Sequence, residues 1–168
     1  MENPVDLFYR DYYTRVFNDK GLTRLSFSMT HKLVEARYSK FSRERHDGIM
    51  ENSGLLILEI GAGKAEHLPY VSMDFQKYVM LDLLNPPEVY PGMNDPRVSW
   101  IVGDICSYDQ FEEKFDRIII MCVLHHIRDL SIALKNISKL IKPGGTISIF
   151  LPSDPGLLVR VNRKLFVL

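Results

Sequence analysis

The stretch Leu55–Leu68, "LLILEIGAGKAEHL", decides the fold. An apolar run of strand length closes in an acid, Gly61 and Gly63 follow one residue apart, and a segment of helical texture comes next. Strands that are apolar on both faces belong in parallel sheets covered by helices on each side. Four further runs share this character: "YVMLDL" (78–83), "VSWIV" (98–102), "RIIIMCVL" (117–124) and "TISIFL" (146–151). Between the last two, Ala133, Leu134, Ile137, Leu140 and Ile141 recur at helical spacing over Leu130 to Ile141. The alternation predicts an α/β fold built on a doubly wound, mostly parallel sheet.

Working outward, the segment before Gly54 has another texture. Asn3-Pro4 is a helix start, a cap followed by proline at the first helical position. Val5, Phe8, Tyr9, Tyr12, Tyr13 and Val16 then recur at spacings of three and four, and Gly21 closes that element. A second helix is predicted over Thr30 to Phe41, with Leu33, Val34, Tyr38 and Phe41 on one side. The polar stretch "SRERHDGIMENSG" (42–54) separates it from the first strand. The chain therefore divides into an N-terminal helical cap, 1–52, and an α/β core, 53–168, within one folding unit.

Bulk properties narrow the function. The 168 residues are 46% hydrophobic with a net charge of zero, which argues against a dedicated nucleic-acid binder. The longest apolar run, Ile118 to Leu124, falls far short of the roughly 20 residues that span a bilayer. The opening "MENPVDLFYRDYY" carries acids where a secretory signal would be basic. Two cysteines, Cys106 and Cys122, make no disulfide framework, and a cytoplasmic location is expected.

In an open parallel sheet, ligands bind beyond the carboxyl ends of the strands, where strand order reverses. Gly61 and Gly63 lie just past such an end, and a helix beginning near Lys64 would aim its free N–H groups at the ligand. A dinucleotide turn requires a third glycine where this chain has Glu66, and the Walker pattern fails because Lys64 follows Gly63 directly. A phosphate ligand is disfavoured.

Read as Glu59-x-Gly61-x-Gly63-x-Ala65, the turn resembles the first motif of the class I S-adenosylmethionine-dependent methyltransferases, with Ala65 in place of the third glycine. Four more motifs follow in order: Asp82 at the end of the second strand, "VGDI" around Asp104, "FDRIIIMCVLHHI" (115–127) and "LIKPGGTISIF" (140–150), in which Pro143 stops the helix. The resemblance implies a Rossmann-like fold, S-adenosylmethionine as cofactor and methyl transfer to a small-molecule acceptor, with no metal. It implies that the methionine part lies over Gly61, Ala62 and Gly63, its carboxylate toward the helix N-terminus and its ammonium toward Glu59 or backbone carbonyls. Asp82 would hold the ribose, Leu83 cover the adenine, Asp104 and Ile105 read its edge, and backbone at Met121 and Cys122 meet the methionine.

His125 and His126 close the fourth strand; one is a candidate base, and adjacent strand positions point opposite ways, so at most one should face the pocket. The alternative is a histidine that packs against the cofactor or caps a turn. Cys122 is equally readable as a small buried hydrophobe, and Asp116 as a structural acid. Tyr9, Tyr12 and Tyr13 are candidates to line the acceptor pocket, with His31 and Arg37 as further candidates.

The resemblance frays after Leu151, where "PSDPGLLVRVNRKLFVL" has room for one helix and not for the family's last two strands. The chain is either minimal or truncated, and an incomplete sheet edge is a candidate homodimer contact. A basic, apolar tail offers contact with a membrane surface without stable insertion. A non-catalytic cofactor-binding relative is the alternative function, and a dehydrogenase is weaker because no Tyr-x-x-x-Lys pair follows the fourth strand.

Overall fold

The computed structural model describes residues 22–45, 54–108 and 111–151. Helix α1 spans Leu22–Arg45, and five strands follow: β1 Leu55–Ile60, β2 Phe75–Asp82, β3 Val98–Val102, β4 Phe115–Met121 and β5 Ile141–Phe150. Helix α2, Leu130–Leu140, lies between β4 and β5. The strands form one sheet in the order β3-β2-β1-β4-β5, and every pairing among them is parallel. The chain moves outward from β1 to β3, then returns to place β4 on the other side of β1. The reversal therefore falls between β1 and β4, where the glycine turn begins.

Alternation along the strands sorts two apolar layers. Leu58, Ile60, Val79, Leu81, Ile118 and Ile120 face α2 and pack with Ala133, Ile137 and Leu140. Ile57, Tyr78, Met80, Ile119 and Met121 face the opposite way and meet Tyr38 of α1. Burial on both faces is why these strands read as continuous apolar runs rather than as alternating ones.

Several expectations are corrected. α1 begins eight residues earlier than expected and ends four later, and its buried side holds His31, Glu35 and Tyr38, while Leu33 and Phe41 are exposed. Charged and ring side chains outcompete Leu33 for the sheet because Arg117 demands a partner there. No α-helix starts at Lys64: Gly63 and Ala65 both take left-handed backbone, φ 58, and Pro69 follows, so only the short 3-10 turn Leu68–Tyr70 forms. α2 ends at Leu140 and β5 starts at Ile141, so Pro143, Gly144 and Gly145 bulge within the strand rather than ending the helix. Leu134, expected on the packed side, is exposed.

β5 is one of the sheet's two edges among the described residues, and Ile147 and Ile149 on its α2-side face are exposed. No described helix is long and apolar enough to cross a membrane.

Candidate functional site

The carboxyl ends of β1, β2 and β4 converge on the glycine turn. Gly61 N donates to Leu81 O at 2.7 Å, continuing the β1–β2 ladder one residue past the strand. Gly61 has φ +72, and a Cβ there would lie 2.3 Å from Val123 Cγ2, so the turn passes hard against the segment leaving β4. Above Gly63 an added Cβ would meet nothing within 4 Å: the second glycine faces open space. Ala65, in the third glycine position, adopts the left-handed conformation that glycine favours, φ 58. The departure from the family pattern changes the side chain and keeps the turn.

Asp82, at the tip of β2, reaches across to this turn. Its Oδ2 accepts from Gly63 N at 2.8 Å and its Oδ1 from Leu84 N at 2.9 Å. Burial raises its carboxyl above the ordinary range, against the lowering by those backbone donors. Leu83 stands beside it, 58% exposed, an apolar surface at the mouth of the crevice. Asp104 follows β3 and its Oδ1 accepts from Cys106 N at 2.8 Å; Ile105 is a core residue whose carbonyl accepts from Asn136 Nδ2 at 2.9 Å.

Met121 is buried at the end of β4, and Cys122, half-buried, has φ 57. Left-handed backbone at a non-glycine residue is strained and concentrates at functional turns. Cys122 N donates to Phe150 O at 2.9 Å, which fixes the strained residue to β5. Its thiol is pushed up by burial, so it stays protonated.

His125 and His126 do not point in opposite directions. β4 has already ended, and both lie in the 3-10 turn Leu124–His126, rings side by side with centroids 3.8 Å apart. Burial first, and then His125, lower the His126 imidazole. Among the described residues no group of three His, Cys, Asp or Glu side chains is placed to hold a metal. Tyr9, Tyr12 and Tyr13 lie outside the described residues, and Arg37 is exposed on α1.

Glu59 turns into the α1-side layer. It is 2% exposed, and its Oε2 accepts from Tyr78 Oη at 2.7 Å. Burial raises its carboxyl to about 7, against the lowering by His67 and Tyr78. With no α-helix at Lys64, the helix terminus expected beside the glycine turn is absent.

A polar cluster that the sequence reading missed lies between α1 and the sheet. Arg117 is fully buried; its Nη2 and Nη1 donate to Glu35 Oε1 and Oε2 at 2.7 and 3.2 Å, and its Nε donates to Ser148 Oγ at 3.1 Å. Its guanidinium lies 3.6 Å from the centre of the Tyr38 ring. His67, four residues past Gly63, places Nε2 2.8 Å from Glu35 Oε1 and Nδ1 2.8 Å from His31 Nδ1. Burial would raise the Glu35 carboxyl, but hydrogen bonds from His67 and Arg117 outweigh it and hold it at about 2. The signal was present: an arginine inside "FDRIIIM" cannot be buried without a carboxylate.

Asp116 is structural. Its Oδ2 accepts from Leu56 N at 2.9 Å, and Lys142 Nζ lies 2.9 Å from both oxygens, joining the starts of β1, β4 and β5.

Residues 58–149 match the model of a family described as a methyltransferase domain. The chain is 26% identical over 108 residues to an uncharacterised methyltransferase of Mycobacterium bovis, with 60% of this chain and 52% of that protein aligned. It is 27% identical over 110 residues to a PKS-NRPS hybrid synthetase of Chaetomium globosum, a match to 58% of this chain and 2% of that protein. The chain thus spans about half the length of the first relative and a small fraction of the second. Its fold is similar to that of coclaurine N-methyltransferase bound to N-methylheliamine and S-adenosylhomocysteine, at a TM-score of 0.56 and 18% identity, covering 77% of this chain and 36% of that one. The family match takes in more than half of the chain and runs from β1 into β5, and the protein belongs to the methyltransferase domain family, with the Rossmann-like fold of its class I S-adenosylmethionine-dependent members.

Proposed function

We propose that the protein binds S-adenosylmethionine at the carboxyl end of its sheet and transfers the methyl group to a small-molecule acceptor. The observation that carries this reading is the reach of Asp82 from the tip of β2 to Gly63 N, which sets a carboxylate beside an open glycine at the reversal of strand order. A carboxylate there suits a ribose diol, the exposed Leu83 beside it suits an adenine face, and Asp104 with the Ile105 backbone lies at the next strand end to meet the ring's edge. On this reading, backbone at Gly61, Ala62, Gly63, Met121 and Cys122 would meet the methionine part.

The cofactor supplies an activated methyl on a positively charged sulfur. The chain's own contribution is to hold acceptor and cofactor in line and keep water out. An O–H or N–H acceptor also needs somewhere for its proton to go. His125 and His126 lie side by side in the turn that follows β4, with ring centroids 3.8 Å apart.

Calorimetric titration with S-adenosylmethionine, S-adenosylhomocysteine and NADH tests the reading. Micromolar binding of the first two, lost in Asp82→Ala, is the expected result. NADH binding in their place would replace methyl transfer with a dehydrogenase. Cofactor binding with no methyl transfer to any of a panel of phenols, amines and sugars would favour a non-catalytic relative.

A further inference from the structure

His31 is 5% exposed, and its Nε2 is a buried side-chain nitrogen that no hydrogen bond among the described residues satisfies. Native interiors rarely leave such an atom alone, and each instance calls for an explanation. Here the partners of the neighbouring ring determine what kind of atom it is.

Glu35 is ionised, held by Arg117, and accepts only. His67 must therefore donate through Nε2, 2.8 Å from Glu35 Oε1. In a neutral His67 the other nitrogen, Nδ1, is then a bare acceptor. In that tautomer His31 Nδ1, 2.8 Å away, is the donor in the contact. A neutral His31 with its proton on Nδ1 carries a lone pair on Nε2. The orphaned atom is thus a hydrogen-bond acceptor, at the end of a relay that runs Glu35, His67, His31.

The surroundings define what it can accept from. The Tyr70 ring stacks on His31 with centroids 5.2 Å apart and planes 8° from parallel, and Phe27 lies 6.3 Å away on α1. A single acceptor between aromatic rings fits an apolar or aromatic molecule bearing one O–H or N–H. The position is tied to the glycine turn, because His67 and Tyr70 belong to the segment that leaves Gly63. Besides the His31–His67 contact, Glu35 and Ser39, both on the C-terminal side of His31, hydrogen-bond α1 to the rest of the fold.

Resting on the methyltransferase reading, we propose that His31 Nε2 is the atom that receives the hydrogen bond, and then the proton, of an aromatic hydroxyl or amine acceptor. A proton taken at Nε2 lets the Nδ1 proton of His31 pass to Nδ1 of His67. His67 then carries two N–H groups and a positive charge directly against the Glu35 carboxylate. The acceptor oxygen or nitrogen is left with the electron pair that forms the new bond to carbon, and the cofactor's sulfur keeps the pair of the bond that breaks. Burial lowers His31 to about 4, which keeps the ring neutral and the lone pair free at physiological pH.

The test uses the full chain labelled with 15N-histidine and followed by long-range proton–nitrogen correlation. The probes are phenol and toluene, the second a ring of similar shape with nothing to donate, each added with S-adenosylhomocysteine. His31 is expected to show a protonated Nδ1 and a bare Nε2. Phenol should move the Nε2 resonance and bind at least tenfold more tightly than toluene, which should leave it unmoved. His31→Phe keeps the stack on Tyr70 and removes both nitrogens, so it should abolish the preference for phenol. A proton found on Nε2, or an Nε2 resonance that phenol does not move, overturns the proposal even if that variant fails to fold. Heat from S-adenosylhomocysteine with no phenol response sinks this assignment alone. A phenol response without S-adenosylhomocysteine binding overturns methyl transfer and leaves a hydrogen-bonding site.

Discussion

Truncating Glu35 to alanine removes the carboxylate on which α1 is docked. It takes away both contacts to Arg117, the contact to His67 and the weaker one to Ser72 N at 3.3 Å, all in a side chain 4% exposed. Arg117 then keeps only Ser148 and the Tyr38 ring, with its charge fully buried. Breaking a buried ion pair from one side costs about 3–5 kcal/mol, because the surviving charge stays out of water without compensation. Against the roughly 5–15 kcal/mol that holds a domain of this size folded, Glu35→Ala should leave it folded but close to its transition. The double variant Glu35→Leu with Arg117→Met removes both charges and should cost much less than the summed single changes. Urea unfolding followed at Trp100, the chain's one tryptophan, measures Glu35→Ala, Glu35→Leu, Arg117→Met and the double variant against the parent. That indole donates to Leu84 O at 3.1 Å, so its signal belongs to the folded sheet. A Glu35→Ala cost below about 1 kcal/mol, or a double variant that costs the full sum, would refute the idea that charge compensation docks α1.

Gly61→Ala should destabilise by about 2–4 kcal/mol, combining a left-handed backbone with a methyl driven into Val123, and Val123→Ala should recover part of the loss in a thermal melt. Ala65→Gly should lie within about 1 kcal/mol of the parent, since relief at φ 58 offsets the loss of a fully buried methyl; a cost above about 2 kcal/mol would mean that the turn is not strained there. Glu59 carries a pH signature. Its folded carboxyl sits at about 7, above its ordinary 4.5, so the stability it contributes is complete below 4.5 and is lost as pH rises through 7. Over that window the slope is at most about 1.4 kcal/mol per pH unit for one proton, and Glu59→Gln should remove it from stability curves taken at successive pH values. Equal slopes in parent and variant would show that Glu59 is ionised in the fold.

The strands were legible because burial on both faces leaves no room for polar residues, and a period of continuous Ile, Leu and Val survives without any knowledge of partners. The turn was legible for a related reason: Gly61 has Val123 pressed against it, a constraint no other residue type satisfies. What failed is instructive. Lys64 to Leu68 has ordinary helical composition, and local propensity cannot reveal that Ala65 will be held in left-handed backbone. The strand rule for His125 and His126 assumed that β4 continued to them, whereas the chain turns at Cys122, whose φ no pattern announces.

The polar cluster was illegible for a deeper reason. His31 and Glu35 sit on α1, Arg117 on β4 and His67 beyond the glycine turn, and only tertiary packing brings them together. His31 alone reads as a pocket candidate and no pattern pairs the four, yet Arg117 in the middle of an apolar strand already required a carboxylate from somewhere. Glu35 answers that requirement, and in doing so fixes the tautomer of His67 and through it the lone pair of His31. A docking device and a proton acceptor thus share one carboxylate, so a change at Glu35 should affect stability and the His31 tautomer together. Changing Arg117 alone should affect docking first, because the hydrogen bond from His67 to Glu35 persists without it. If Arg117→Met shifted the His31 tautomer as strongly as Glu35→Gln does, the relay would be a consequence of packing rather than of the carboxylate's hydrogen bond.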